Sequence, residues 1–224
     1  MLQTGDPVTV EQCMNRRLDV LVERYPALAG LRPALAAAAA MLIESVARGG
    51  KILTAGNGGS CADAEHITGE LLKGFCKKRP LPEDAVAHFQ TAWGEEGREL
   101  ALQLQTGIPA INLTLAPALA TAFGNDVDPA LAVAQHLWAA GAPGDVLIAI
   151  STGGNAENVR LALMAARVRG VKTILLTGAK HGICEKYADL VLAAPEKETY
   201  RVQELHLPIY HALCLMVEEA FFDE

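Results

Sequence analysis

Aromatic residues are scarce in this 224-residue chain, at 5% of the total, and cations are outnumbered: 19 Lys and Arg face 26 Asp and Glu, for a net charge of −7. An acidic chain lacks the surplus Lys and Arg with which proteins coat nucleic acid or anionic membranes, so neither is expected as a partner. Cysteines number five, an odd count with no paired spacing, which argues against a disulfide scaffold and suits a reducing cytoplasm. No apolar run reaches the roughly 18–20 residues of a membrane span. The longest, Ala34 to Ile43, includes the alanines Ala36 to Ala40 and reads as a buried helix. Met1 to Val10 lacks the basic start and apolar stretch of a signal peptide. What the chain does have is small apolar mass: hydrophobic residues make up 51%, enough for a full core. The length and the absence of a linker predict one domain over residues 1–224.

The first fifty residues read as two helices. Thr9 and Gln12 have capping-box spacing, and Met14, Leu18, Leu21 and Val22 follow at helical intervals until Pro26. A second helix spans about Pro33 to Val46 and stops at Gly49 and Gly50. Beyond Lys51 short apolar runs occur at Ile52–Ala55, Ala110–Thr114, Val146–Ile150, Thr173–Thr177 and Leu190–Ala194. They are nearly continuous rather than alternating, as for parallel strands covered on both faces. Helical segments lie between and after them, at about Ser60–Leu72, Ala130–Ala140, Asn155–Arg169 and Tyr200–Phe222. Strands alternating with helices predict an α/β fold with a doubly wound parallel sheet. One stretch, Leu81 to Gly107, interrupts the alternation and reads as an excursion carrying a short helix, Glu95–Gln105.

Two strand ends share a design. Ile52–Ala55 leads into Gly56-Asn57-Gly58-Gly59-Ser60, and Val146–Ile150 leads into Ser151-Thr152-Gly153-Gly154-Asn155, each just before a helix. Backbone N–H groups in such turns can face an anion, and the helix dipole favours negative charge there. Either loop alone is equally well a tight turn; the matched pair points to a phosphorylated small molecule. A dinucleotide fingerprint is excluded by Cys61 at the place of its third glycine, and neither loop has a P-loop ending. On the following helix His66 and Glu70 stand four apart, on one face. That spacing suits either a shared metal ion or a base beside a polar partner. On the last helix Gln203 and His211 are eight apart, about 12 Å along an unbroken helix, too far to bind one ion together. Either Pro208 distorts that helix or the two residues reach a site from different subunits.

With these residues in view, the chain resembles the sugar-isomerase (SIS) domain and, within it, the phosphoheptose isomerase family. The resemblance rests on Gly56-Asn57-Gly58-Gly59-Ser60, Asp63-Ala64-Glu65-His66 and Glu70. It extends through Asn125-Asp126, Gly144-Asp145-Val146-Leu147 to Ser151-Thr152, Leu176-Thr177-Gly178 and Val202-Gln203-Glu204-Leu205-His206. It implies a flavodoxin-like three-layer α/β/α sandwich with a mainly parallel five-stranded sheet, behind two N-terminal helices. It also implies a homotetramer with active sites between subunits, and aldose–ketose isomerisation of a phosphosugar. By the same resemblance His66, Glu70, Gln203 and His211 fall on zinc-ligand positions, and Glu70 and His211 on the catalytic ones. Asn57, Gly58, Gly59, Ser60, Glu70, Asn125, Asp126, Ser151, Thr152 and Gln203 fall on the substrate side. The family commonly has serine where this chain has Gly153 and Ala156. A non-catalytic SIS relative that binds the replication initiator lacks the Glu and His corresponding to Glu70 and His211, both present here.

Overall fold

The apolar runs become five strands: β1 (Ile52–Ala55), β2 (Ala110–Asn112), β3 (Val146–Ile150), β4 (Lys172–Gly178) and β5 (Leu190–Ala194). All pair in parallel, in the order β2-β1-β3-β4-β5. This computed structural model describes residues 2–222. Among the described residues eight α-helices accompany the sheet: α1 (Pro7–Arg24), α2 (Arg32–Ala47), α3 (Gly59–Leu72), α4 (Glu83–Gln103), α5 (Pro117–Asp126), α6 (Ala132–Ala140), α7 (Glu157–Arg169) and α8 (Thr199–Phe221). Successive strand residues point to opposite faces. Ile52, Val146, Ile148, Ile150, Ile174 and Leu176 therefore pack on one side with α1, α2, α3 and α8. Leu53, Ala55, Leu147, Ala149 and Leu175 pack on the other with α6 and α7. The result is the expected three-layer sandwich.

Several local expectations need correction. The cap of α1 is Asp6, whose carboxylate accepts from the Thr9 amide at 3.1 Å, so the helix starts ahead of the Thr9–Gln12 pair. A carboxylate caps as well as a hydroxyl and here sits just before a proline, Pro7, at the first helical position. Second, the short helix expected at Glu95–Gln105 is the latter half of a longer one, α4, kinked at Gly94, where φ is 66° and ψ −145°. Only a glycine takes that backbone conformation readily. Third, α5 was absent from the expectations, since its ten residues, Pro-Ala-Leu-Ala-Thr-Ala-Phe-Gly-Asn-Asp, bury no residue fully and carry weak helical periodicity. Fourth, the apolar segment is longer than Ala34–Ile43. Pro26–Ala47 is long and apolar enough by composition to cross a membrane, yet it lies against α8 and the sheet with Leu28, Leu35, Ala38, Ala39 and Leu42 buried.

A buried ion pair ties this side of the sandwich together. Arg79 and Glu218 are both fully enclosed, 2.8 Å apart. Glu218, on α8, also accepts from the amides of Phe75 and Cys76, each at 2.8 Å. Arg79 donates to the carbonyls of Leu71 (2.8 Å) and Glu70 (3.3 Å), which end α3. Burial opposes ionisation of Glu218, but the two amides and Arg79 outweigh it and hold its pKa below the ordinary carboxylate value. Every polar group of the pair is thus partnered, which makes burying two charges tolerable.

Removing one partner leaves the other charge stranded. Arg79→Ala is expected to cost about 3–5 kcal/mol, a fall in melting temperature of roughly 10 °C for a chain of this size. A lowered carboxylate pKa contributes stability that is present above the unfolded value, about 4.3, and lost as pH falls through the folded one. The gap between the native chain and the variant should therefore narrow in thermal melts below about pH 4, and a gap that stays constant would contradict this account.

Candidate active site

The strand order places the two glycine-rich loops side by side. From β1 the chain moves outward to β2, whereas β3 leads the other way to β4 and β5. The loops after β1 and β3 therefore flank the point where the winding direction reverses, the crevice in which open α/β sheets bind ligands. Gly58 caps α3 with φ 54°, and Ser60, nearly buried, gives its amide to the Asn57 carbonyl at 3.0 Å. In the second loop Ser151 is buried, its hydroxyl accepts from the Ala156 amide at 3.4 Å, and its carbonyl accepts from the Gly154 amide at 2.9 Å.

The loops are clasped together by a residue that the sequence did not single out. Asn158 donates to Asn57 Oδ1 and accepts from Asn57 Nδ2, both at 2.8 Å. This reciprocal amide pair joins positions 101 residues apart, so nothing in local sequence marks it. Thr114, just past β2, is a second such residue: its hydroxyl accepts from the Gly56 amide (3.2 Å) and donates to the Gly56 carbonyl (3.1 Å).

Helices α3 and α8 run alongside each other in the same direction. A Cβ built on Gly59, at the start of α3, would lie 2.5 Å from Gln203 Nε2. Seven residues further along, His66 meets Tyr210 and His211, with ring centroids 5.4 and 5.0 Å away. His66 Nε2 is 3.2 Å from Glu70 Oε1, and Lys73 pairs with the other Glu70 oxygen. Phe75 packs on His211, with ring centroids 5.4 Å apart.

The structure thus brings His66, Glu70 and His211 together at one level and sets Gln203 at the phosphate-type loop. Helix α8 is continuous through Pro208, so the proline does not fold the two ends toward each other. Asn125 and Asp126 sit exposed at the end of α5, where the Asn125 amide donates to Asp126 at 3.0 Å. Among the described residues they make no hydrogen bond to either loop.

Two observations bear on a metal. The donor chemistry suits a divalent ion, with two imidazoles beside a carboxylate, and His211 Nε2 is buried with no hydrogen-bond partner. Within a single chain, however, no three His, Cys, Asp or Glu side chains among the described residues are placed to hold one. Burial, together with His66 nearby, lowers the His211 pKa below the ordinary imidazole value and outweighs the opposing pull of Glu70, so the ring is neutral near neutral pH. Burial and the adjacent Asp63 raise the Tyr210 phenol well above its usual range, so it stays protonated.

Two glycine-rich turns at the point where the winding reverses, beside a His–Glu–His group, fit an enzyme acting on a phosphorylated metabolite. Residues 26–178 match the family model described as the SIS domain, and the chain is a SIS-domain protein. The phosphoheptose isomerase of Roseiflexus sp. (strain RS-1) is 36% identical over 192 residues, 86% of this chain and 84% of that protein. That of Pelobacter propionicus is 34% identical over 217 residues, covering 97% and 98%. The chain belongs to the phosphoheptose isomerase family and is accordingly a phosphosugar isomerase. Among solved structures, the phosphoheptose isomerase of Neisseria gonorrhoeae superposes with a TM-score of 0.69 at 28% identity, covering 94% of this chain and 99% of that one. The Francisella tularensis enzyme gives 0.70 at 27% identity, covering 92% and 96%.

The contact between Gly59 and Gln203 gives a direct test of the site. Gly59→Ala places a methyl against the end of a flexible side chain, and alanine favours a helix by about 1 kcal/mol over glycine. The variant should melt no lower than the native chain and, on the expectation that Gln203 contacts the phosphosugar, bind it more weakly because the Gln203 amide is displaced. A lower melting temperature with unchanged ligand affinity would contradict the placement.

Proposed function

We propose that the chain interconverts sedoheptulose 7-phosphate and D-glycero-D-manno-heptose 7-phosphate through an enediol. What carries this reading is the parallel run of α3 and α8, which sets an anion crevice at one end and the His66–Glu70–His211 group about two helical turns along. The phosphate is held at the Ser60 and Ser151–Thr152 turns by backbone amides and helix ends, with Asn57 oriented by Asn158. Asn125 and Asp126 reach the sugar from the end of α5.

Isomerisation moves one proton between neighbouring carbons. Glu70 takes it from one carbon and returns it to the next. Neutral His211 accepts a hydroxyl proton as the sugar ring opens and hands it back to the sugar oxygen. Lys73 pairs with that carboxylate, and Arg79 anchors the backbone carbonyl of Glu70 beneath it.

We further propose that His66, Glu70, Gln203 and His211 are the holders of a zinc ion. When bound, it would polarise the substrate carbonyl and stabilise negative charge on oxygen. Because Gln203 and His211 stand at different levels of one unbroken helix, Gln203 serves a neighbouring subunit's site in this reading, in keeping with a homotetramer. All five thiols are unpaired, in keeping with work in a reducing cytoplasm.

Incubation with sedoheptulose 7-phosphate, with and without a chelator, tests the reading. The aldose should form in the metal-replete sample and not in the chelated one, and Glu70→Gln should abolish turnover while keeping the native melting temperature. No aldose from the metal-replete enzyme, or near-normal turnover by Glu70→Gln, would sink it.

The missing loop hydroxyl offers another prediction. A Cβ at Gly153 meets nothing within 4 Å, so a serine side chain fits there without strain. One added hydrogen bond to the phosphate is worth about 0.5–1.5 kcal/mol. Gly153→Ser should lower KM by roughly two- to tenfold with little change in kcat; a raised KM would show that this turn does not face the phosphate.

A further inference from the structure

Behind the His66–Glu70 pair lies a hydrogen-bonded chain that the proposed reaction does not use. Tyr210, 2% exposed, sits on α8 next to His211, with its hydroxyl 3.0 Å from His66 Nδ1 and 3.3 Å from Asp63 Oδ1. Asp63 lies on α3, three residues before His66 and so on the same face. Its other oxygen, Oδ2, is buried without a partner, so the tyrosine is the one side chain among the described residues that hydrogen-bonds this carboxylate.

Valence allows two orders of donors: Tyr210 can give its one proton to His66 Nδ1 or to Asp63, and only the second leaves the buried Asp63 carboxylate with a donor. A phenol has one proton to give, and an ionised carboxylate can only accept. Once the Tyr210 proton goes to Asp63, the phenolic oxygen is left as an acceptor toward His66. The imidazole must then carry its proton on Nδ1, and Nε2 is left as a bare lone pair. That lone pair points at Glu70 Oε1, 3.2 Å away. Two electron-rich atoms at that distance make a place for a positive partner, whether a proton or a cation.

We propose that Asp63 and Tyr210 are positioning residues that lock His66 in its Nδ1–H tautomer, so that Nε2 faces Glu70 as an acceptor. Second-layer partners of this kind hold a ring's orientation and raise the basicity of its free nitrogen. Tyr210 also packs edge-on against both His66 and His211, so one side chain sets two rings of the site. The inference rests on the reading of His66 and Glu70 as site residues, and it adds the group that decides which nitrogen of His66 is available.

The test is nuclear magnetic resonance on the full-length, metal-free, 15N-labelled protein at about pH 8, above the ordinary imidazole pKa of about 6.5. Long-range proton–nitrogen correlations distinguish the two tautomers, and the His66 signals are those lost in His66→Gln. The native chain should show a protonated Nδ1 and a bare Nε2. In Tyr210→Phe, which keeps the ring but removes the acceptor, the population should move toward the Nε2–H form by roughly five- to tenfold, as loss of one hydrogen bond implies. A native spectrum with Nε2–H, or a folded Tyr210→Phe that keeps the native tautomer, would overturn the proposal. If the variant does not fold, the native spectrum alone decides. The measurement needs neither substrate nor turnover, so its failure is separate from a failure to isomerise sedoheptulose 7-phosphate.

Discussion

The arrangement of the site depends on how α8 is registered against α3, and that register is held by the ion pair between Arg79 and Glu218. Apolar packing alone tolerates sliding: α8 presents Val202, Ile209, Leu213, Met216 and Val217 to the core, residues of similar size and no directional preference. The ion pair does not tolerate it. Glu218 must meet the amides of Phe75 and Cys76 as well as Arg79, while Arg79 must meet the two carbonyls that end α3. A shift of one residue, 1.5 Å along the helix, would break several of these bonds in a place water does not reach. One of these bonds ends on the carbonyl of Glu70 itself, so the device that fixes the register also anchors the backbone that carries the carboxylate the proposed chemistry uses.

The overall charge takes on meaning beside this local order. A chain carrying −7 offers an anionic substrate little attraction at long range. On the proposed reading, attraction comes from groups whose charge is directional and short in reach: the amides of two glycine-rich turns and the starts of α3 and α7. The abundance of small apolar residues fits the same picture. Alanines on α2 bring it close to the sheet, and its outward face stays apolar at Ala37, Ala40 and Met41.

Much of the fold was legible because parallel strands buried on both faces must be apolar throughout. Ile52–Ala55, Val146–Ile150 and Leu190–Ala194 stand in the structure with the limits the sequence implies. Where the periodic signal is weak, the reading stops short: α5 buries no residue fully, and α4 exposes Trp93 and Leu102 along a kinked helix. The site divides in the same way. Glycine-rich turns and a His–Glu pair four apart are local patterns, and both were visible. The Asn57–Asn158 clasp and the hydrogen bond between His66 and Tyr210 join residues 101 and 144 positions apart, and no local pattern announces them.

The eight-residue gap between Gln203 and His211 was the one place where helix geometry and family resemblance pulled apart. The structure bears on the first: α8 runs unbroken through Pro208, so the two residues stay at different levels, and α3 beside it is matched in register. Two parallel helices carry the same repeat, so whatever one sets apart the other sets apart equally. Gln203 then belongs with the anion loop of its own chain, whereas His211 belongs with His66 and Glu70. A residue that is to join those three from the level of Gln203 has no route within one protomer. On the proposed reading, in which the four hold one ion, the loop end of one chain would face the histidine end of another, and assembly would be a condition of the complete site.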